Sequence, residues 1–106
     1  MATKKQFSSF EEMLSSSNLP VLVDFYADWC GPCQVMAKEL EIVNAELQGK
    51  LQIMKIDTEK YPELATQYQV YALPTLVLFH NGKPVERIEG ALKAKEVVQT
   101  IEKHCK

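Results

Sequence analysis

Apolar and polar positions divide the chain into a short series of elements. Pro20-Val21-Leu22-Val23-Asp24-Phe25-Tyr26 is β-branched and apolar at alternate and intervening positions alike, the pattern of a strand covered on both faces. Beyond it, Met36, Leu40, Val43 and Leu47 recur at helical spacing from a start at Pro32, and Gly49 supplies a stop. Residues 51–57 predict a second strand, which completes a βαβ unit whose crossover is expected to be right-handed. Thr58 is a candidate cap for a further helix, with Pro62 in its first turn and Leu64, Ala65 and Tyr68 facing inward.

Thr75-Leu76-Val77-Leu78-Phe79 predicts a third buried strand, opened by Pro74. Asn81-Gly82 suits a two-residue type I′ turn leading to an antiparallel strand over residues 85–89, which Gly90 breaks. Ala94, Val97, Val98, Ile101 and Cys105 then form the apolar stripe of a last helix over residues 92–104. At the other end, residues 4–7 suggest a short edge strand. Ser9-Phe10-Glu11-Glu12 reads as a capping box, opening a short helix that fades in Ser15-Ser16-Ser17-Asn18. The element order βαβαβαββα predicts an α/β fold: a five-stranded mixed sheet with four flanking helices, in a single domain over residues 1–106.

Composition narrows the function. A length of 106 residues, 46% apolar and 25% charged, suits one globular unit. The net charge of -2 is spread without a basic cluster, which argues against nucleic acid and against an anionic membrane surface as partners. No apolar run approaches the roughly 20 residues of a membrane span. Three cysteines are too few and too unevenly spaced for a secreted disulfide framework. The polar start Met1-Ala2-Thr3-Lys4-Lys5-Gln6 lacks the apolar region of a signal peptide and leaves little room for a transit peptide. A reducing cytoplasmic setting is therefore expected.

The chemistry concentrates in Trp29-Cys30-Gly31-Pro32-Cys33, between the first buried strand and the long helix. Two cysteines at this spacing form either a redox couple or half of a metal site. A zinc site wants four ligands, and the remaining candidates, His80, His104 and Cys105, show no ligand spacing, which favours redox use. A helix starting beside Cys30 aims free N–H groups and a dipole at its sulfur and favours thiolate. Cys33 lies on the same helical face, so the sulfurs can meet, and Pro32 has no N–H to waste in the first turn. Cys30 is then the exposed nucleophile and Cys33 the partly buried resolving thiol.

Asp24 is the anomaly of the first strand, since a carboxylate covered on both faces resists ionisation. The residues leave two roles open: a base that deprotonates Cys33, directly or through water, or a structural partner of Lys55 on the neighbouring strand. Cys105 reads as a small apolar residue at a helix terminus. For Pro74, the residues alone favour an ordinary trans bond at a strand start.

With Trp29-Cys30-Gly31-Pro32-Cys33, Asp24, Lys55, Leu73-Pro74-Thr75, Asn81-Gly82 and Gly90 all in place, the chain resembles the thioredoxin family over nearly its whole length. The resemblance implies a protein disulfide reductase that carries no cofactor and no metal beyond the redox-active pair Cys30–Cys33. It implies that Cys30 attacks a target disulfide, that Cys33 resolves the mixed disulfide, and that Asp24 and Lys55 assist. It also implies a cis Leu73–Pro74 bond and an apolar docking surface of Trp29, Gly31, Pro32, Leu73, Pro74, Gly90 and Ala91. There an extended target backbone pairs with the polar groups of Leu73.

Two positions depart from the family: Lys38 replaces a helix-kinking proline, which implies a straighter helix, and Ala72 replaces a common glycine. Lys55-Ile56-Asp57-Thr58-Glu59-Lys60-Tyr61-Pro62 and Glu89-Gly90-Ala91-Leu92 look most like the y-type of cyanobacteria and chloroplasts. That subgroup implies peroxiredoxins and methionine sulfoxide reductases as acceptors, and a ferredoxin- or NADPH-linked thioredoxin reductase as donor. A monomer in a cyanobacterial cytosol is expected. The rival expectations are a disulfide oxidase or isomerase of the same fold, and a non-catalytic docking or zinc-binding module. Gly31-Pro32 lacks the histidine that oxidases of this fold commonly place between the cysteines.

Overall fold

The computed structural model describes the backbone of residues 2–105 and the side chains of residues 9–105. In chain order the elements are α1 (Ala2–Ser16), β1 (Val21–Tyr26), α2 (Gly31–Glu46), β2 (Gln52–Asp57), α3 (Pro62–Gln67), β3 (Thr75–His80), β4 (Lys83–Glu89) and α4 (Ala94–His104). The strands form one mixed sheet of order β2-β1-β3-β4. β1 pairs parallel with β2 and antiparallel with β3, and β3 pairs antiparallel with β4.

The continuous apolar run of β1 is explained by this position. Both faces of the strand are covered, and alternation sends its side chains into two separate cores. Val21, Val23 and Phe25 join Phe10, Leu14, Leu64, Val77 and Phe79 beneath α1 and α3. Leu22 enters the opposite layer with Met36, Leu40, Val43, Leu76, Val97 and Ile101, beneath α2 and α4. Cys105 packs against this second layer. On the first side, Phe10 and Tyr68 meet Phe79 edge-on, with ring centroids 6.2 and 5.5 Å away. Each such pair adds about 0.5–1.5 kcal/mol beyond area burial and locks its helix to the sheet. On the second side, Glu39 of α2 accepts the Ala94 N–H at 2.8 Å. This satisfies an orphan donor of α4 that the cap residue Lys93 leaves open.

The N-terminus corrects one expectation. The sheet has four strands rather than five, because residues 4–7 are helical and α1 begins at Ala2. Lys4, Lys5 and Gln6 are good helix formers. Phe10 and Leu14, four residues apart, bury one face of the helix and give it a reason to continue. Ser9 consequently lies inside α1 rather than at its start, so no capping box forms there. Thr58 is a second correction. Its hydroxyl and N–H both donate to the Tyr26 carbonyl, at 3.0 and 2.9 Å, which ties the end of β2 to the end of β1. α3 starts four residues later, with Tyr61 at its cap position and Pro62 first inside. α2 runs unbroken through Lys38.

The hairpin forms as the Asn-Gly pair predicts. Asn81 and Gly82 have φ of 56° and 80°, the two left-handed positions of a type I′ turn. The turn also rests on α1: a Cβ on Gly82 would lie 3.0 Å from Ser15 Oγ. Gly82→Ala is therefore expected to cost about 1–2 kcal/mol, the usual penalty for a left-handed L-residue. Chemical denaturation should show this as a lower midpoint with an unchanged slope.

Candidate functional site

The site begins where β1 ends. After Tyr26 and Ala27 the chain turns, with the Cys30 N–H donating to the Ala27 carbonyl at 3.2 Å, and α2 starts at once. Cys30 occupies the N-cap in extended conformation, Gly31 is the first helical residue and Pro32 falls in the first turn. The Cys33 N–H donates to Cys30 Sγ at 3.1 Å, so a cysteine sulfur does what a serine or aspartate oxygen does at an ordinary helix start. Cys30 and Cys33 are joined in a disulfide, with Cα atoms 5.2 Å apart.

Both half-cystines are buried to nearly the same degree in this oxidised state, at 5% and 4% exposure. Ala27, Cys30 and Cys33 form a small apolar cluster of their own, covered by Tyr26 and Leu73. Among the described residues no group of three or more His, Cys, Asp or Glu side chains could hold a metal ion.

Leu73 comes from the loop before β3. The Leu73–Pro74 bond is cis, as the family resemblance implies and contrary to the trans bond favoured by the residues alone. Thr75 Oγ1 donates to the Ala72 carbonyl at 2.6 Å, and the Gly90 N–H donates to the Pro74 carbonyl at 2.9 Å. The second bond draws the segment after β4 against the proline loop. Gly90 has a φ of 90°, which a glycine adopts without steric cost.

An open groove of about 420 Å³ runs beside the disulfide. Of the residues expected to form a docking surface, Trp29, Gly31, Pro32 and Leu73 line it together with Cys30. Pro74 is buried behind it, whereas Ala91 is exposed on the neighbouring loop. Thr58, Val70 and Tyr71 also line it, which reasoning from the residues had not assigned. Tyr71 stands 84% exposed and Trp29 69%, unusual for large rings with no covering element. The Trp29 indole N–H donates to Glu59 Oε2 at 2.7 Å, which ties the ring to the turn after β2. A tyrosine just before Leu73-Pro74 was the available signal, but only the folded loop brings it into one groove with Trp29.

Asp24 is 1% exposed, and no protein donor reaches its Oδ1. Burial pushes its carboxyl up to about 6, against a smaller downward pull from Lys55. Lys55 is the register partner of Asp24 on β2. Its ammonium lies 5.9 Å from the centre of the Tyr26 ring, and neither ion pair found among the described residues, Arg87–Glu89 or His104–Glu86, includes it. Alternation along β1 sends Asp24 to the same face as Tyr26, which covers the disulfide.

The thioredoxin family model matches residues 2–103. Thioredoxin-like protein slr0233 of Synechocystis sp. is 58% identical over 102 residues, covering 96% of this chain and 97% of that protein. Chloroplastic thioredoxin Y of Oryza sativa is 56% identical over 101 residues, which are 95% of this chain but 60% of the rice protein's length. Among solved structures, that of chloroplastic thioredoxin z superposes with a TM-score of 0.82 at 36% identity, over 91% of this chain and 87% of that one. With its disulfide at the head of α2, the chain belongs to the thioredoxin family, of the y-type, and its chemistry is that of a protein-disulfide oxidoreductase.

Proposed function

We propose that the chain is a cytoplasmic, monomeric, single-domain thioredoxin that passes electrons from a ferredoxin- or NADPH-linked reductase to protein disulfides. Peroxiredoxins and methionine sulfoxide reductases are the target classes that the y-type resemblance favours. The observation that carries the reading is the Cys30–Cys33 disulfide at a helix N-terminus, bordered by an open groove whose lining includes the exposed rings of Trp29 and Tyr71. In the reduced protein, the Cys33 N–H and the positive end of α2 favour thiolate at Cys30.

Each step then balances. The Cys30 thiolate attacks one target sulfur; that S–S bond breaks, and the other target sulfur leaves and takes a proton. Cys33, losing its proton to Asp24, attacks Cys30 Sγ, forms the intramolecular disulfide and releases the second target thiol. The target gains two electrons and two protons overall. Trp29, Gly31, Pro32, Leu73, Pro74, Gly90 and Ala91 receive the target chain, with the cis Leu73–Pro74 loop presenting backbone groups to it. Lys55 tempers the Asp24 carboxylate through its charge.

Dithiol-driven reduction of insulin tests the assignment. Wild type should turn over, Cys30→Ser should be inactive, and Cys33→Ser should accumulate mixed disulfides through Cys30. Normal turnover by Cys30→Ser would sink the proposal.

Asp24 gives two linked expectations. As the base for Cys33, its replacement by Asn should slow reduction more near pH 6.5 than near pH 9, where the thiolate forms unaided. An unchanged pH–rate profile would leave Asp24 a structural role only. For stability, a carboxyl raised to about 6 in the fold keeps its proton while the unfolded chain, at 3.8, has lost it. Folding stability therefore falls as pH rises from about 4 to above 6, by at most about 3 kcal/mol. Asp24→Asn removes that loss, so its melting temperature should exceed that of wild type at pH 8 and converge with it below pH 4.

A further inference from the structure

The groove wall made by Val70, Tyr71 and Leu73 is a loop, and something must hold it in place. It leaves α3 through a turn in which the Val70 N–H donates to Ala65 O at 2.8 Å and the Gln69 N–H to Thr66 O at 3.0 Å. This is the Schellman pattern, which puts Gln69 in the left-handed position with φ of 55°. Glycine usually fills that position, because a Cβ there is costly. Here the sequence offers glutamine, on a helix of six residues with little stability of its own.

The compensation comes from the sheet's edge strand, β4. Arg87 of β4 lies opposite Val77 of β3, so its side chain rises on the face that carries α3. Its guanidinium donates through Nη1 to Tyr68 O at 2.6 Å and through Nη2 to Gln69 O, the carbonyls at the end of α3. The third direction of the fork is used as well: Nε donates to Glu89 Oε2 at 3.2 Å. Glu89 directly precedes Gly90, whose N–H donates to Pro74 O. One side chain therefore touches the turn that launches Val70 and Tyr71, and the strand end that is hydrogen-bonded to the proline loop. A lysine could supply the charge but not the planar fork.

We propose that Arg87 is a positioning residue for the target groove, holding the loop of residues 70–73 at the distance from Trp29 that an extended target chain requires. This rests on the disulfide-reductase reading above. It adds that recognition of protein disulfides, as distinct from sulfur chemistry, depends on a residue that lines no part of the groove beside the disulfide.

The test compares wild type, Arg87→Gln and the double variant Arg87→Gln with Gln69→Gly. Each is assayed with insulin and with a small aromatic disulfide that needs no groove. For Arg87→Gln we expect KM for insulin to rise about five- to tenfold with kcat within about twofold of wild type, and the small-disulfide rate to be unchanged. Amide exchange at Val70 should accelerate in the same variant. Glycine takes the left-handed position freely, so the double variant should regain both the insulin KM and the Val70 protection. A small-disulfide rate that falls in parallel with the insulin rate, an insulin KM unmoved in Arg87→Gln, or failure of the double variant to recover would each overturn the proposal. Inactivity of wild type towards both disulfides would instead overturn the reductase reading, so the two failures are separable.

Discussion

The structure depends on the junction at which β1 becomes α2. A strand buried on both faces has to end, and a helix has to begin, within the short turn that carries Trp29 and Cys30. Helix starts need acceptors for their first N–H groups. Cys30 Sγ is such an acceptor, so the structural requirement of the helix and the chemical requirement of a stabilised thiolate fall on one atom. The two cores on either side of β1 keep the strand in register, and the strand's end places the disulfide at the rim of the sheet.

Around that junction the fold brings together segments far apart in the chain. The proline loop reaches it through Leu73, the segment after β4 through the Gly90–Pro74 hydrogen bond, and the turn after β2 through the Trp29–Glu59 contact. Loops serve here because strands and helices have used their own hydrogen-bonding groups, whereas a loop can offer some to a partner. Asp24 is the exception among these parts. It stands within the layer rather than at the rim, and its burial is tolerated because its carboxyl keeps the proton more readily than an exposed one.

Much of the fold was legible in the residues. The unbroken apolar run of β1, the helical recurrence in α2 and the Asn-Gly hairpin each express a periodicity that neighbouring residues carry by themselves. The N-terminal segment was not legible in the same way. A short stretch such as residues 4–7 has no decisive period, and it became helix because Phe10 and Leu14 anchor α1 against the sheet. Thr58 has the side chain of a cap, yet the carbonyl at the end of β1 captures it. That competition exists only once β1 and β2 are paired.

Spacing along one helix sets the separation of Cys30 and Cys33, so the residues alone bring the two sulfurs together at a helix start after a buried strand. Their local pattern also placed a carboxylate in that strand and a left-handed turn at Asn81-Gly82. The cis Leu73–Pro74 bond, the shared groove of Tyr71 and Trp29, and the bonds from Arg87 to the turn at Gln69 come from the tertiary structure alone. The physical reason is the same in each case. These contacts join residues whose separation along the chain carries no periodicity, and packing of the two layers on the sheet is what sets their distances.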